Sequence, residues 1–137
     1  MLGASLALEL EYAGARDVVA VRWGGAGSLF VAPGVQLVDT PEFKSHVPAN
    51  IIPGAQAARD ALSRLRSNTA LDWTFLSPPA LLTRGERTGA YRIGGEQLLM
   101  AGDEPAGISV ADLAIAIVDE IEQPRHTRAR FTVATPA

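Results

Sequence analysis

Residues 71–95, LDWTFLSPPALLTRGERTGAYRIGG, constrain the fold more than any other stretch. The apolar run 71–76 contains Trp73, Thr74 and Phe75, residue types that favour a buried extended strand over a helix. Pro78 and Pro79 end it, because neither can donate a backbone hydrogen bond and each biases its predecessor away from helical geometry. The strand therefore stops near Ser77 and releases a loop carrying Arg84, Glu86 and Arg87 between glycines. In an open α/β sheet, a strand that ends abruptly in such a loop builds one side of a ligand crevice at the carboxyl edge.

A chain of 137 residues, 47% hydrophobic and 20% charged, has the length and composition of one globular domain. With aromatics at only 6%, the core is expected to be mainly aliphatic. The net charge is −3 and no dense lysine and arginine face occurs, so nucleic acid is not an expected partner. No cysteine is present, which excludes disulfides, a thiolate nucleophile and cysteine-based metal centres. No stretch approaches the roughly 20 apolar residues that span a bilayer, and no signal-peptide pattern opens the chain. The expectation is a soluble cytoplasmic protein without a membrane partner.

Residues 2–13 carry two signals. Their Ala, Leu and Glu content favours helix, which is the expectation taken here, while Leu6, Leu8, Leu10 and Tyr12 alternate as in a half-buried strand. Gly14 would end that helix, and residues 17–23 read as a valine-rich strand with Arg22 as its odd member. The turn Gly24-Gly25-Ala26-Gly27-Ser28 follows, where glycines permit unusual backbone and close approach of a ligand. It lacks the third glycine of the GxGxxG fingerprint, and no Gly-Lys-Ser/Thr occurs for a Walker-type loop. Taken alone, a tight turn is the simpler reading.

Prolines at 33, 41, 48 and 53 predict a long irregular excursion over 31–54 containing Phe43, Lys44 and His46. A helix over 53–66 follows, with Ala55, Ala58, Leu62 and Leu65 as its buried stripe and three arginines on its wet side. Residues 97–101 read as extended and 102–107 as a turn. The clearest helix starts at Ser109, with Ser109 and Asp112 as a capping box and Ile108 stapled against Leu113. Val110, Leu113, Ala114, Ile117, Val118 and Ile121 form its apolar stripe, and the carboxylates Asp119, Glu120 and Glu122 read as exposed. A final strand covers 130–134. Neither His46 nor His126 has a second ligand at useful spacing, so no metal site is expected.

Five ordered blocks carry a family resemblance: GGAGSL at 24–29, APG at 32–34, LDWTFLSP at 71–78, GERTG at 85–89 and RFTV at 130–133. Over roughly 14–134 the chain resembles the atypical short-chain dehydrogenase/reductases of the NAD(P)H-binding, NmrA-like type, including NADH-flavin reductases and relatives of biliverdin reductase B. The resemblance implies an α/β, three-layer Rossmann-like domain with a mainly parallel sheet, lacking the family's first β-α units. Those units hold the dinucleotide pyrophosphate through a Gly-rich turn and a helix start, and nothing in this sequence matches them.

The resemblance implies that NADPH or NADH would meet Gly25, Ala26, Gly27 and Ser28 at one strand end and Leu76, Ser77 and Pro78 at the next. Ser28 falls near the catalytic serine of classical short-chain reductases, whereas their Tyr-x-x-x-Lys pair has no counterpart; the lysine position falls near Gln56. Phe43, Arg84 and Arg87 would border the substrate. Two functions are expected to compete. One is a reductase passing hydride to a small planar acceptor such as a flavin or quinone, where the cofactor supplies most of the reactivity. The other is a non-catalytic, truncated homologue that persists through self-association, since missing β-α units would expose a strand edge and favour a homo-oligomer.

Overall fold

The computed structural model describes residues 6–10, 19–23 and 25–137, and of the first two segments only the backbone. The main sheet contains β1 (Leu6–Leu10), β2 (Val19–Trp23), β5 (Asp72–Ser77), β11 (Ala129–Ala134) and β7 (Arg92–Gly94), in the order β1-β2-β5-β11-β7. The three central strands run parallel, with Val21 opposite Thr74 and Phe131 opposite Leu76. Antiparallel strands flank them on both sides. The hairpins β3–β4 (Phe30–Ala32, Val35–Gln36) and β8–β9 (Met100–Ala101, Glu104–Pro105), and the parallel pair β6 (Leu81–Thr83) and β10 (Gly107–Ser109), lie outside this sheet.

Alternation along β5 builds the layers. Trp73 and Phe75 pack with Leu62 of α2 (Ile52–Arg66) on one face. Leu76 packs on the other face with Ile108, Phe131, Val133 and the residues Leu113 and Ala116 of α3 (Val110–Glu122). The result is helix, sheet, helix, as the three-layer expectation requires. Each large side chain buried this way contributes about 1.5–3 kcal/mol relative to exposure. Among the described residues no helix is long and apolar enough to cross a membrane.

Several local expectations change. Within 2–13, the described part Leu6–Leu10 is a strand antiparallel to β2, not a helix. The period-two alternation prevails there over helix propensity because β2 offers a pairing edge. The expected helix end at Gly14 lies outside the described residues. The excursion over 31–54 is more ordered than its prolines suggest. Pro33 and Gly34, the latter at φ 73°, form the two-residue turn of the β3–β4 hairpin. Pro41 opens α1 (Pro41–His46), whose N-cap Thr40 accepts from the Phe43 backbone N–H at 3.2 Å. Proline reads as a breaker in sequence, yet at a first helical turn it is a starter.

In α3 the buried stripe is rotated. Asp112, Leu113, Ala116 and Glu120 face inward, whereas Val110 and Val118 remain 41% and 49% exposed. Glu120, expected on the surface, is buried because it accepts the backbone N–H groups of Arg125 and His126 and bonds the His126 ring at 2.8 Å. Ser109 caps the helix by accepting from the Asp112 N–H at 3.0 Å, and Ile108 and Leu113 share the core. The Asp112 carboxylate, however, turns to the 86–89 loop and accepts from Thr88 N, Thr88 Oγ1 and Gly89 N at 2.9, 2.7 and 2.9 Å. The segment expected as a turn over 102–107 contains β9 and opens β10.

Candidate functional site

β2 and β5 are neighbours and parallel, so both deliver the chain to the same edge of the sheet. Beyond β2 the chain enters a single 3-10 turn, Ala26–Ser28, and β5 ends on Ser77. What joins these two ends is Arg130, near the start of β11. Phe131 and Val133 face α3, so alternation sends Arg130 and Thr132 to the α2 side, where the Arg130 side chain is fully buried. Its Nη1 donates to Ser28 Oγ at 2.8 Å and to Ser77 Oγ at 3.1 Å, and its Nη2 donates to the Ser28 carbonyl at 3.1 Å.

The charge of Arg130 is met by Glu96, whose carboxylate lies 2.7 Å from Nη2 and also accepts from Arg66 of α2. Partial burial pushes the Glu96 carboxyl upward, but the hydrogen bonds from Arg66 and Arg130 outweigh this and hold it below its usual 4.5. Burial pulls the Arg130 guanidinium below its ordinary value, opposed by the same carboxylate. Of the three arginines expected on the wet side of α2, Arg64 and Arg66 are exposed and Arg59 is half-buried; Arg66 pairs with Glu96, and Arg59 holds both Asp39 oxygens at 2.7 Å.

Beside this node lies an open groove of about 950 Å³ between the β3–β4 and β8–β9 hairpins. Phe30, Leu37, Leu98 and Met100 supply apolar lining, and the carboxylate-bearing residues Glu42, Glu96 and Asp103 also line it. No lysine, arginine or histidine lines it among the described residues. Glu96 belongs to both features, since it lines the groove and bonds Arg130.

The structure brings Ser28 and Ser77 together on one guanidinium. Gly25 is exposed, and a Cβ there would meet nothing within 4 Å. Gly27 is buried and has a different reason to be glycine: a Cβ would stand 3.1 Å from Val38 Cβ, so the turn is packed tightly against its neighbours. Ala26 is half-buried and Pro78 buried, while the Leu76 side chain lies in the core on the α3 side. Phe43 is half-buried in α1, and Arg84 and Arg87 are exposed beyond β6; none of these three lines the groove. His46 is exposed on α1, and no cluster among the described residues could hold a metal ion. Sequence reasoning missed Arg130, Glu96 and the groove. The available signal was an arginine at the head of a short apolar strand, where a charge must find partners to be buried.

A parallel-centred sheet between helices, with glycine and serine at adjoining carboxyl ends, defines the Rossmann-like class of nucleotide-binding domains. The model of an NAD(P)H-binding family matches residues 6–124. The chain belongs to this NAD(P)H-binding family. It is 43% identical over 117 residues to the uncharacterized protein YwnB of Bacillus subtilis, covering 83% of this chain and 53% of that protein. A candidate epimerase from Bacteroides thetaiotaomicron superposes with a TM-score of 0.77 at 40% identity, over 91% of this chain and 56% of its own. A candidate NADH-flavin reductase from Streptococcus pneumoniae also gives 0.77, at 35% identity, over 90% and 58%. The chain spans about half the length of the relatives it matches.

Among the described residues, Gly25 leaves open space and the two strand ends lack the Gly-rich helix start of a Rossmann pyrophosphate site. Exposed Gly25 leaves open backbone against which a flat ring can lie, beside the end of β5. The Rossmann pyrophosphate site is a Gly-rich turn running directly from a parallel strand into an α-helix. Here the turn after β2 leads into a three-residue 3-10 turn and β3, and β5 leads into Pro78 and Pro79. Neither β2 nor β5 passes through such a turn into an α-helix among the described residues.

Proposed function

We propose that this domain belongs to an NAD(P)H-dependent reductase acting on a small planar acceptor of the flavin or quinone kind, and that these residues supply its nicotinamide and acceptor side. One observation carries this reading: the ends of two adjoining parallel strands are fixed to each other by Arg130 through Ser28 and Ser77. The candidate NADH-flavin reductase at 35% identity supports redox chemistry, while the candidate epimerase at 40% is the competing class among the relatives. The bound nicotinamide would supply the hydride. The residues of this chain position and exclude. Arg130 donates into Ser28 Oγ, which leaves the serine its own hydrogen to donate, and the buried guanidinium holds that hydroxyl in place. In such enzymes the protein orients reactive partners more than it reacts.

Oxidation of NADPH by menadione, followed by absorbance with millimolar nucleotide, tests the reading. A rate above the buffer background is expected, reduced about tenfold or more in Ser28→Ala. A folded chain that never exceeds background overturns it.

A second reading, persistence through self-association, is favoured by the sheet's edges. β1 and β7 are its outermost described strands, and Ile93 of β7 is 47% exposed. Sedimentation across micromolar concentrations is expected to show a dimer or larger species under this reading; a compact monomer throughout removes it.

A further inference from the structure

We infer that the groove between the β3–β4 and β8–β9 hairpins is a binding site for a flat, apolar organic molecule carrying positive charge or none, and that it rejects anions. The inference rests on the reductase reading and specifies its acceptor: an uncharged quinone or phosphate-free flavin ring is admitted, a flavin bearing a phosphate is not.

Size comes first. A volume of about 950 Å³ lies at the upper end of what small-molecule sites occupy, roughly 300–1,000 Å³. The lining is apolar for a structural reason. Phe30 donates its N–H to the Glu96 carbonyl at 2.9 Å and accepts from the Leu98 N–H at 3.0 Å, so the backbone of the floor is already satisfied. The Ala106 N–H is likewise bound to the Leu99 carbonyl at 2.9 Å. Side chains of Phe30, Leu37, Leu98 and Met100 are therefore what a ligand meets, and Val31 and Met100 stay 43% and 42% exposed at this face. Apolar side chains that line one concavity together, rather than standing singly on the surface, suit a ligand site.

Charge then selects. Glu96 is compensated by Arg66 and Arg130. Glu42 and Asp103 have no cationic partner among the described ion pairs, and no basic side chain lines the groove to answer them. Two carboxylates in one cleft, without an ion-pair partner among the described residues, repel an entering anion and favour a cation at low ionic strength. Glu96 links the groove to the proposed reaction edge, because it lines the one and bonds the guanidinium that holds the buried Ser28 and Ser77.

Two xanthene dyes with the same ring skeleton separate charge from shape. Rhodamine 6G is a cation and fluorescein a dianion near neutral pH, and fluorescence anisotropy reads binding of each without any nucleotide. At low ionic strength rhodamine 6G is expected to bind about fivefold or more tightly than fluorescein. The preference should fall toward unity in the double variant Glu42→Gln/Asp103→Asn, and persist in Glu122→Gln, whose residue is exposed on α3 and does not line the groove. Equal binding of the two dyes, tighter binding of fluorescein, or a preference untouched by the double variant overturns the inference. Because no NADPH is present, these outcomes are read separately from the menadione assay. Loss of turnover with the dye preference intact sinks the reductase reading alone, and intact turnover with no dye preference sinks the groove alone.

Discussion

Arg130 is the residue on which the edge formed by Ser28 and Ser77 depends. Its guanidinium is buried and bonded to Ser28, Ser77 and Glu96, so removing it strands two hydroxyls, a carbonyl and a carboxylate. Breaking a fully buried charge pair costs about 3–5 kcal/mol, and the partial exposure of Glu96 moderates the cost here. Arg130→Met is therefore expected to lower urea-unfolding stability by about 3 kcal/mol, and Ser77→Ala by about 1 kcal/mol, the loss of one hydrogen bond. A neutral Arg130→Met would contradict the role assigned to it. Residue identities at this edge were partly legible in sequence: Ser28 and Ser77 stood at strand ends. Their partner was not, because Arg130 lies 102 residues from Ser28 and 53 from Ser77, and no local pattern links positions so far apart. Tyr91 shows the same limit. Its phenol donates to Asp119 at 2.7 Å, and burial together with that carboxylate pushes it up to about 12, keeping it a donor.

At the level of elements, hydrophobic runs and stops were readable and helix rotation was not. β5, α2 and β11 fall where apolar periodicity, Pro53 and the paired prolines after Ser77 put them. The face of α3 was misread because Asp112 and Glu120 are buried by hydrogen bonds that sequence polarity does not reveal. The start of α3 offers a test through protons. Bonds from the Thr88 hydroxyl, then the Gly89 and Thr88 N–H groups, hold Asp112 below its usual 3.8. A carboxyl depressed in the folded state stabilises fully above its unfolded value, and the contribution is lost as pH falls through the folded one. Urea midpoints of the parent chain should therefore decline below about pH 4. Asp112→Asn should be less stable at neutral pH and show a flatter acid limb. An unchanged acid limb would show that these bonds do not set the folded-state pKa. The β1 strand and the β3–β4 hairpin mark where local signals conflict: alternation against propensity in the first, and turn-forming prolines read as breakers in the second.

For the whole molecule, the central claim is a division of labour. The described residues form a three-layer body whose carboxyl edge offers one turn, one serine pair and an apolar, acid-lined groove, without a helix start to cradle a pyrophosphate. Class and layering could be read from the order of elements, because parallel strands separated by helices allow few arrangements. The groove could not, since Phe30 of β3 meets Glu96, Gln97 and Leu98 from a distant part of the sequence, and no local pattern links them. Calorimetric titration of the 137-residue chain with reduced nicotinamide mononucleotide and with NADPH tests the division directly. If the phosphates and adenylate find no cradle, the two dissociation constants should agree within about threefold, because the extra groups add no binding energy. NADPH binding about thirtyfold or more tightly than the mononucleotide, a gap of roughly 2 kcal/mol, would contradict the account.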